Sequence, residues 1–190
     1  MPRPADPELE ARVLLAAKKL WAKGGERSLT MRAVARAAGT NTPAVYRRFK
    51  GRRDLLRALL QKSQAEVSEL LQQCNSLQEI CQCIFDYALR HPREYELLAS
   101  KIVVTSHVPR RNFGFIVQKA AEWLGGSEDE CRPLVIALWS LIHGSALLLI
   151  SEALPEHTQV VRSAFTAAVD QLVRNYPAFR RQVSEVSSPA

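Results

Sequence analysis

The chain has 190 residues, 47% of them hydrophobic and 24% charged, with a net charge of +7. That balance excludes a disordered or fibrous chain and allows one large domain or a small head on a larger body. The charge is unevenly spread: residues 1–60 hold 14 Lys/Arg against 5 Asp/Glu (+9), and residues 61–190 hold 12 against 14 (−2). A basic end on a near-neutral remainder points to an anionic polymer held at that end.

In chain order, MPRPADPELEAR has no apolar run ahead of its charges, so no signal peptide is expected. Asp6-Pro7 open a first helix reaching Lys23, with Val13, Ala16, Ala17, Leu20 and Trp21 as its apolar stripe and Gly24-Gly25 as its stop. In residues 29–55, Thr30 is the expected N-cap of a short helix to Ala38, in which Met31, Val34, Ala35 and Ala38 share one face. Gly39 follows where a helix needs a left-handed stop. Thr42 is the expected N-cap of a second helix, Pro43–Phe49, with Pro43 at its first position. Val45 and Phe49 then point inward, leaving Ala44, Tyr46, Arg47 and Arg48 outward. Two short helices with a tight turn, the second crowded with cations, read as a helix-turn-helix that enters a DNA major groove.

A charge run is usually a solvated helix face, and Lys18, Lys19 and Lys23 read as that. Arg47, Arg48, Lys50, Arg52 and Arg53 differ, because they surround the second helix and the N-terminus of the next one. Free N–H groups and the helix dipole there add to the cations and favour phosphate. Thr42, Pro43 and Ala44, with Asn41 beside them, stand at the front of the helix, where base edges and thymine methyls would be met.

The stretch resembles the DNA-binding segment of TetR/AcrR-family transcriptional regulators. The residues that carry the likeness are Ala37, Ala38 and Gly39 at the turn, Tyr46, Phe49, the cation at Arg52, and Leu55 with Leu56. The resemblance implies phosphate contact by Tyr46 and Arg52, backbone or base contact by Arg47 and Arg48, and a guanine edge or a phosphate for Arg32. Thr30 can reach a phosphate as well as cap its helix. Thr40 and Ala44 depart from the family, which commonly has Val and Thr at those positions. The likeness also implies a helical ligand-binding and dimerisation domain after the head, with boundaries at 1–51 and 52–190.

Beyond the head every segment has helical period, predicting an all-α chain of nine or ten helices. A long helix from Arg52 to about Gln73 buries Leu55, Leu56, Leu59, Leu60, Val67, Leu70 and Leu71. Helices then follow from a cap at Ser76 to Arg90, over 93–107, over 110–124 after a break near Pro109, over 127–153, and over 157–175, where Pro177 ends the last before a frayed tail from Ser184. The run 134–150 is 17 residues long and contains Ser140, His143, Gly144 and Ser145, so it reads as a helix buried on all sides rather than a membrane span.

The helices 127–153 and 157–175 are more apolar than one side of a core requires, and small residues such as Gly144, Ala164 and Ala167 permit close approach. A four-helix interface between two copies is expected, through Leu141, Ser145, Leu148, Val161, Phe165, Ala168 and Leu172. Trp139…His143-Gly144 resembles a family motif of that domain, as does Tyr87–Pro92. Candidate walls of an effector pocket are Phe85, Phe113, Phe115, Trp123, Trp139 and His143, each also a plain core candidate.

Catalysis is not expected: His91, His107, His143 and His157 lie on separate segments with no nucleophile at a recognisable interval. Cys74, Cys81, Cys83 and Cys131 match no zinc spacing and read as free thiols; on one helix Cys74 and Cys81 would share a face. No metal and no cofactor is expected. The composite expectation is a cytoplasmic, dimeric regulator, a repressor by family habit, that binds a palindromic double-stranded DNA operator and is released by a small apolar or aromatic effector. The alternatives are a redox-responsive regulator using its cysteines and a non-specific helical DNA-organising protein.

Overall fold

The structure, a computed structural model, describes residues 8–99 and 111–187. Among the described residues it has ten α-helices, one 3₁₀ turn and no strand, which makes the chain all-α. The helices are α1 Leu9–Ser28, α2 Met31–Ala37, α3 Thr42–Arg48, α4 Arg52–Leu71, α5 Leu77–Arg90, α6 Pro92–Ala99, α7 Arg111–Leu124, α8 Glu128–Ile150, α9 Thr158–Arg174 and α10 Tyr176–Ser187. The expected start at Asp6-Pro7, the second half of the helix over 93–107 and the break near Pro109 lie outside the described residues.

The described chain divides into two compact units. The first holds residues 8–65 and 93–99, so residues 52–65, most of α4, join the head, whereas a boundary at 51/52 was expected. The reason is visible in its core. Leu55, Leu56, Leu59 and Leu60 of α4 are buried with Val13, Ala17 and Trp21 of α1, Val34 of α2, Val45 and Phe49 around α3, and Leu97 of α6. Trp21 Nε1 donates to the Arg93 carbonyl at 2.7 Å, tying α1 to the start of α6. Within α1 the regular backbone fails at Gly24 and Gly25, and Gly25 (φ 57°, ψ −142°) adopts a conformation that only glycine takes easily.

The second unit is built around α8, which packs against α5, α7, α9 and α10. Leu134, Val135, Leu138, Ile142 and Ala146 form the buried face of α8. Phe85 of α5 and Phe165 of α9 stack across the core with ring centroids 4.2 Å apart. Ser127 caps α8 in a full capping box with Glu130, as its Ser-Glu-Asp-Glu start suggests. Cys131, fully buried, lies with its Sγ 3.3 Å from the Tyr176 hydroxyl.

Four expectations are corrected here. Only 33% of the most apolar stretch of α8 is buried, so it is not enclosed on all sides, although by length and hydropathy alone it could cross a membrane. Leu70 is exposed, because it lies on the outer side of α4 while Val67 and Leu71 turn inward. Helix 127–153 ends at Ile150, with Glu152 in the left-handed region at φ 53°. Pro177 does not end the helical chain. It occupies the first turn of α10, where a missing N–H costs nothing, and α10 carries the supposed tail on to Ser187.

Candidate nucleic-acid interface

The geometry of the head is set by how α2 stops and α3 starts. Thr30 Oγ1 accepts the Ala33 N–H at 3.1 Å and caps α2, as its sequence position predicts. At the other end Gly39 N–H donates to the Arg36 carbonyl (3.2 Å) and Thr40 N–H to the Ala35 carbonyl (2.9 Å). That pair of bonds is a Schellman closure, with Gly39 at φ +65° in the left-handed position. The next residue but one begins α3.

The cap of α3 is Asn41, not Thr42. Asn41 Oδ1 accepts the Ala44 N–H at 2.9 Å, which places Thr42 at the first helical position, Pro43 at the second and Phe49 outside as the C-cap. Thr42 Oγ1 is therefore not spent on capping. Ala44 does not face outward either: it is 4% exposed, beside Val45 at 0% and Phe49 at 4%. With residues 44 and 45 turned in, Pro43, Tyr46 and Arg47 fall at intervals of three and one on the outer face of α3, and all three are exposed, as are Arg48 and, past the helix end, Lys50. Tyr46 is 51% exposed, far more than a tyrosine held for packing.

Arg32, Arg36, Arg47, Arg48 and Arg53 are also exposed, and neither α2 nor α3 carries an acid in its first turn. Lys50 N–H donates to Asp54 Oδ2 at 3.0 Å, so that carboxylate is turned to the backbone at the start of α4. Arg52 is placed differently from the rest. Its Nε donates to the Leu29 carbonyl at 2.9 Å, and its terminal nitrogen donates to the Glu26 carbonyl and pairs with the Glu26 carboxylate at 3.2 Å. Here the guanidinium neutralises the C-terminal end of α1 with a fork that lysine could not match.

In the second unit the expected pocket residues do not converge. Phe85 is sealed in the core on Phe165. Phe113 meets Trp139 edge to face at 5.7 Å, while Phe115 and Trp123 flank Lys119 along α7, each ring 5.9 Å from its Nζ. His143 is half-buried one helical turn after Trp139. An open groove of about 690 Å³ lies between α5 and α9, walled by Gln78, Gln82, Gln159 and Arg162 over Phe165.

The expected dimer residues differ in exposure. Phe165 is 2% exposed and belongs to the core, Leu148 is exposed, and Leu141, Ser145, Val161, Ala168 and Leu172 are half-buried flanks. The apolar face left open is one step round each helix: Ile136, Ser140, Gly144 and Leu147 on α8, and Val160, Ala164 and Ala167 on α9. Ile136 (51%), Leu147 (52%) and Val160 (61%) are too exposed for a finished surface. The small residues singled out in the sequence, Gly144, Ala164 and Ala167, lie on this face.

A capped recognition helix on a basic, helical head defines a DNA-binding protein of the helix-turn-helix class, and the comparisons narrow it. The model of the bacterial regulatory proteins, tetR family, matches residues 13–59, and that of the tetracyclin repressor-like C-terminal domain matches residues 77–172. The chain belongs to the TetR family. It is similar to a single-residue variant of TetR from Acinetobacter baumannii AYE in complex with minocycline (25% identity, 88% of this chain and 96% of that one covered, TM-score 0.66). It is also similar to a TetR transcriptional regulator from Streptomyces coelicolor (21% identity, 93% and 100% covered, TM-score 0.68). A third similar structure is the multidrug binding protein EbrR complexed with imidazole (21% identity, 88% and 93% covered, TM-score 0.57). No curated protein matches the sequence. Members of the family are DNA-binding, ligand-responsive transcriptional regulators that act as dimers and are generally non-enzymatic.

The capping assignment has a direct check in urea unfolding. Asn41→Ala loses about 1 kcal/mol of stability, the usual worth of an N-cap, whereas Thr42→Ala stays within about 0.5 kcal/mol of the parent. A larger loss at Thr42 than at Asn41 contradicts the assignment.

Proposed function

We propose that this chain is a dimeric cytoplasmic repressor whose two α3 helices enter successive major grooves of a palindromic operator, and which a small apolar or aromatic effector releases. The observation that carries the reading is the outer face of α3: Pro43, Tyr46 and Arg47, all exposed, with exposed Lys50 just past the helix end, behind a helix start whose Thr42 hydroxyl is not used for capping. Thr42 and Pro43 meet base edges, and Ala44 passes that role to them because it is buried. Tyr46, Arg48 and Lys50 grip phosphates, Arg47 a phosphate or a base, and Thr30 and Arg32 approach the backbone from the start of α2. Asn41 supports the front of the helix as its cap, and Arg52 acts chiefly by holding α1 against the start of α4.

The open apolar face of α8 and α9 supports the dimer. Gly144 has open space around its missing side chain, so a second helix can approach closely there. Two copies meeting on this face form a four-helix interface and bring two heads to one palindrome, half-sites about one helical turn or a multiple apart. For the effector, the Phe113–Trp139 pair with His143 is the aromatic surface that the second unit offers. Similar proteins have been solved with minocycline and with imidazole, which supports a small-molecule signal here. Helix α4 runs unbroken from the core of the head unit into residues 66–71 of the second unit, and is the route by which such a signal reaches the DNA-binding end.

DNA selected from genomic fragments tests the reading against a non-specific DNA-organising protein. The selected palindrome is expected to bind about a thousandfold tighter than its scrambled version, and Arg48→Ala, at a phosphate, lowers the slope of log affinity against log salt by about 1. Equal affinity for both DNAs contradicts a sequence-specific regulator. The dimer face is tested separately by sedimentation: Leu147→Glu converts a dimer to a folded monomer, and a dimer left intact places the interface elsewhere.

A further inference from the structure

The end of α1 carries an acid where a helix end disfavours one. Past the kink at Gly24-Gly25, Glu26 stands in the last turn, where the unpaired backbone carbonyls repel a carboxylate. Two carbonyls of this turn converge on one cation from the start of α4. The Glu26 carbonyl accepts the Leu29 N–H at 3.3 Å, and fully buried Leu29 fixes the turn in the head core. Arg52 donates from Nε to the Leu29 carbonyl at 2.9 Å and from Nη2 to the Glu26 carbonyl, and Nη2 also lies 3.2 Å from Glu26 Oε1. Two bonds to fixed backbone oxygens already orient the planar guanidinium. What the carboxylate adds is chiefly charge: it neutralises Arg52, whereas the neighbouring cations Lys50 and Arg53 form no ion pair among the described residues. Among those residues the second terminal nitrogen of Arg52, Nη1, has no partner either.

We propose that Glu26 is a positioning residue of the DNA-binding end, whose carboxylate competes with a DNA phosphate for the Arg52 guanidinium. The inference rests on the operator-binding reading above and names a group that weakens that binding. Glu26 does not itself touch DNA; it acts through Arg52. A phosphate reaching Lys50, Arg52 and Arg53 takes the Nη1 edge of Arg52 and displaces the Glu26 carboxylate from Nη2, while the two carbonyl bonds stay. The Arg52 and Glu26 side chains are 43% and 60% exposed, so solvent screens the pair and the phosphate has access to it. The competition is therefore worth a few-fold in affinity, the same for every DNA sequence, because a phosphate carries no sequence information.

Salt dependence separates this competition from a merely structural role. A cation that neutralises a phosphate releases the counterion condensed there, which steepens the fall of affinity with salt by about 0.9 per phosphate. In the parent protein the displaced Glu26 carboxylate takes up a cation from solution as the phosphate gives one up. The two nearly cancel, so Arg52 adds little to the slope. With glutamine at position 26 the carbonyl bonds remain, the guanidinium charge is uncompensated, and the full counterion release appears. A residue that only held α1 to α4 would lower affinity when replaced and leave the slope where it was.

The test follows the full-length protein binding a labelled random-sequence duplex of about 30 base pairs by fluorescence anisotropy, from about 50 to about 200 mM salt. Glu26→Gln is expected to bind about threefold tighter at the low-salt end, with a slope of log affinity against log salt steeper by about 1 and the gain gone at the high-salt end. Glu10→Gln makes the same charge change at another exposed acid of α1 and is expected to leave the slope unmoved. In an Arg52→Gln background, checked for native circular dichroism, the gain from Glu26→Gln disappears; should that background not fold, the Glu10→Gln comparison decides alone. An unchanged or weaker Glu26→Gln, an equal gain from Glu10→Gln, or a gain that survives in Arg52→Gln overturns the proposal while the operator-binding reading stands. A parent protein that binds no duplex at the low-salt end overturns both.

Discussion

The DNA-binding end of this protein depends on one constraint: α2 and α3 are separated by so little chain that the turn between them dictates the direction of both. The Schellman bonds at Gly39 and Thr40 close α2, and Asn41 opens α3 with a side-chain bond to Ala44. No slack remains between these two devices, so α3 leaves the turn at a fixed angle, and Val34 and Val45, both fully buried, lock that angle into the core. Once the inner face is taken by Ala44 and Val45, the outer face of α3 has to be Pro43, Tyr46 and Arg47. The reading surface is thus a consequence of packing rather than a separate feature.

Much of this was legible in the sequence because it is local. A glycine in the left-handed position, Ser or Thr before a helical period, and acids after Ser127 each act within four residues, and the structure keeps Thr30, Gly39, Ser76 and Ser127 in those roles. What was lost was register. Asn41 and Thr42 are both good caps, and proline is tolerated at either of the first two helical positions, so nothing local separates them. The bond from Ala44 N–H to Asn41 separates them, and, independently of the cap, Ala44 lies beside Val45 in the interior rather than on the reading surface.

The second unit was harder to read for a different physical reason. Helix α8 is apolar almost all round, so its periodicity carries little information about which side is inside. Ile136 and Leu147 look like core and are exposed, while Phe165 on α9 looks like an interface residue and stacks on Phe85. Of the aromatic residues on α5, α7 and α8 named as pocket walls, Phe113 and Trp139 meet each other, while Phe85 is stacked on Phe165. Contacts distant in sequence also gave Arg52 its position. Its bonds to the carbonyls of Glu26 and Leu29 span more than twenty residues and make it a joint between α1 and α4, whatever it also offers to DNA.

Guanine methylation interference on the selected operator tests the central claim most directly, because guanine N7 lies in the major groove and adenine N3 in the minor groove. An α3 helix seated in the major groove in each of two copies predicts two symmetric patches of guanines whose N7 methylation abolishes binding, about one helical turn or a multiple apart. Interference confined to adenine N3, or a single patch without a symmetric mate, would contradict it.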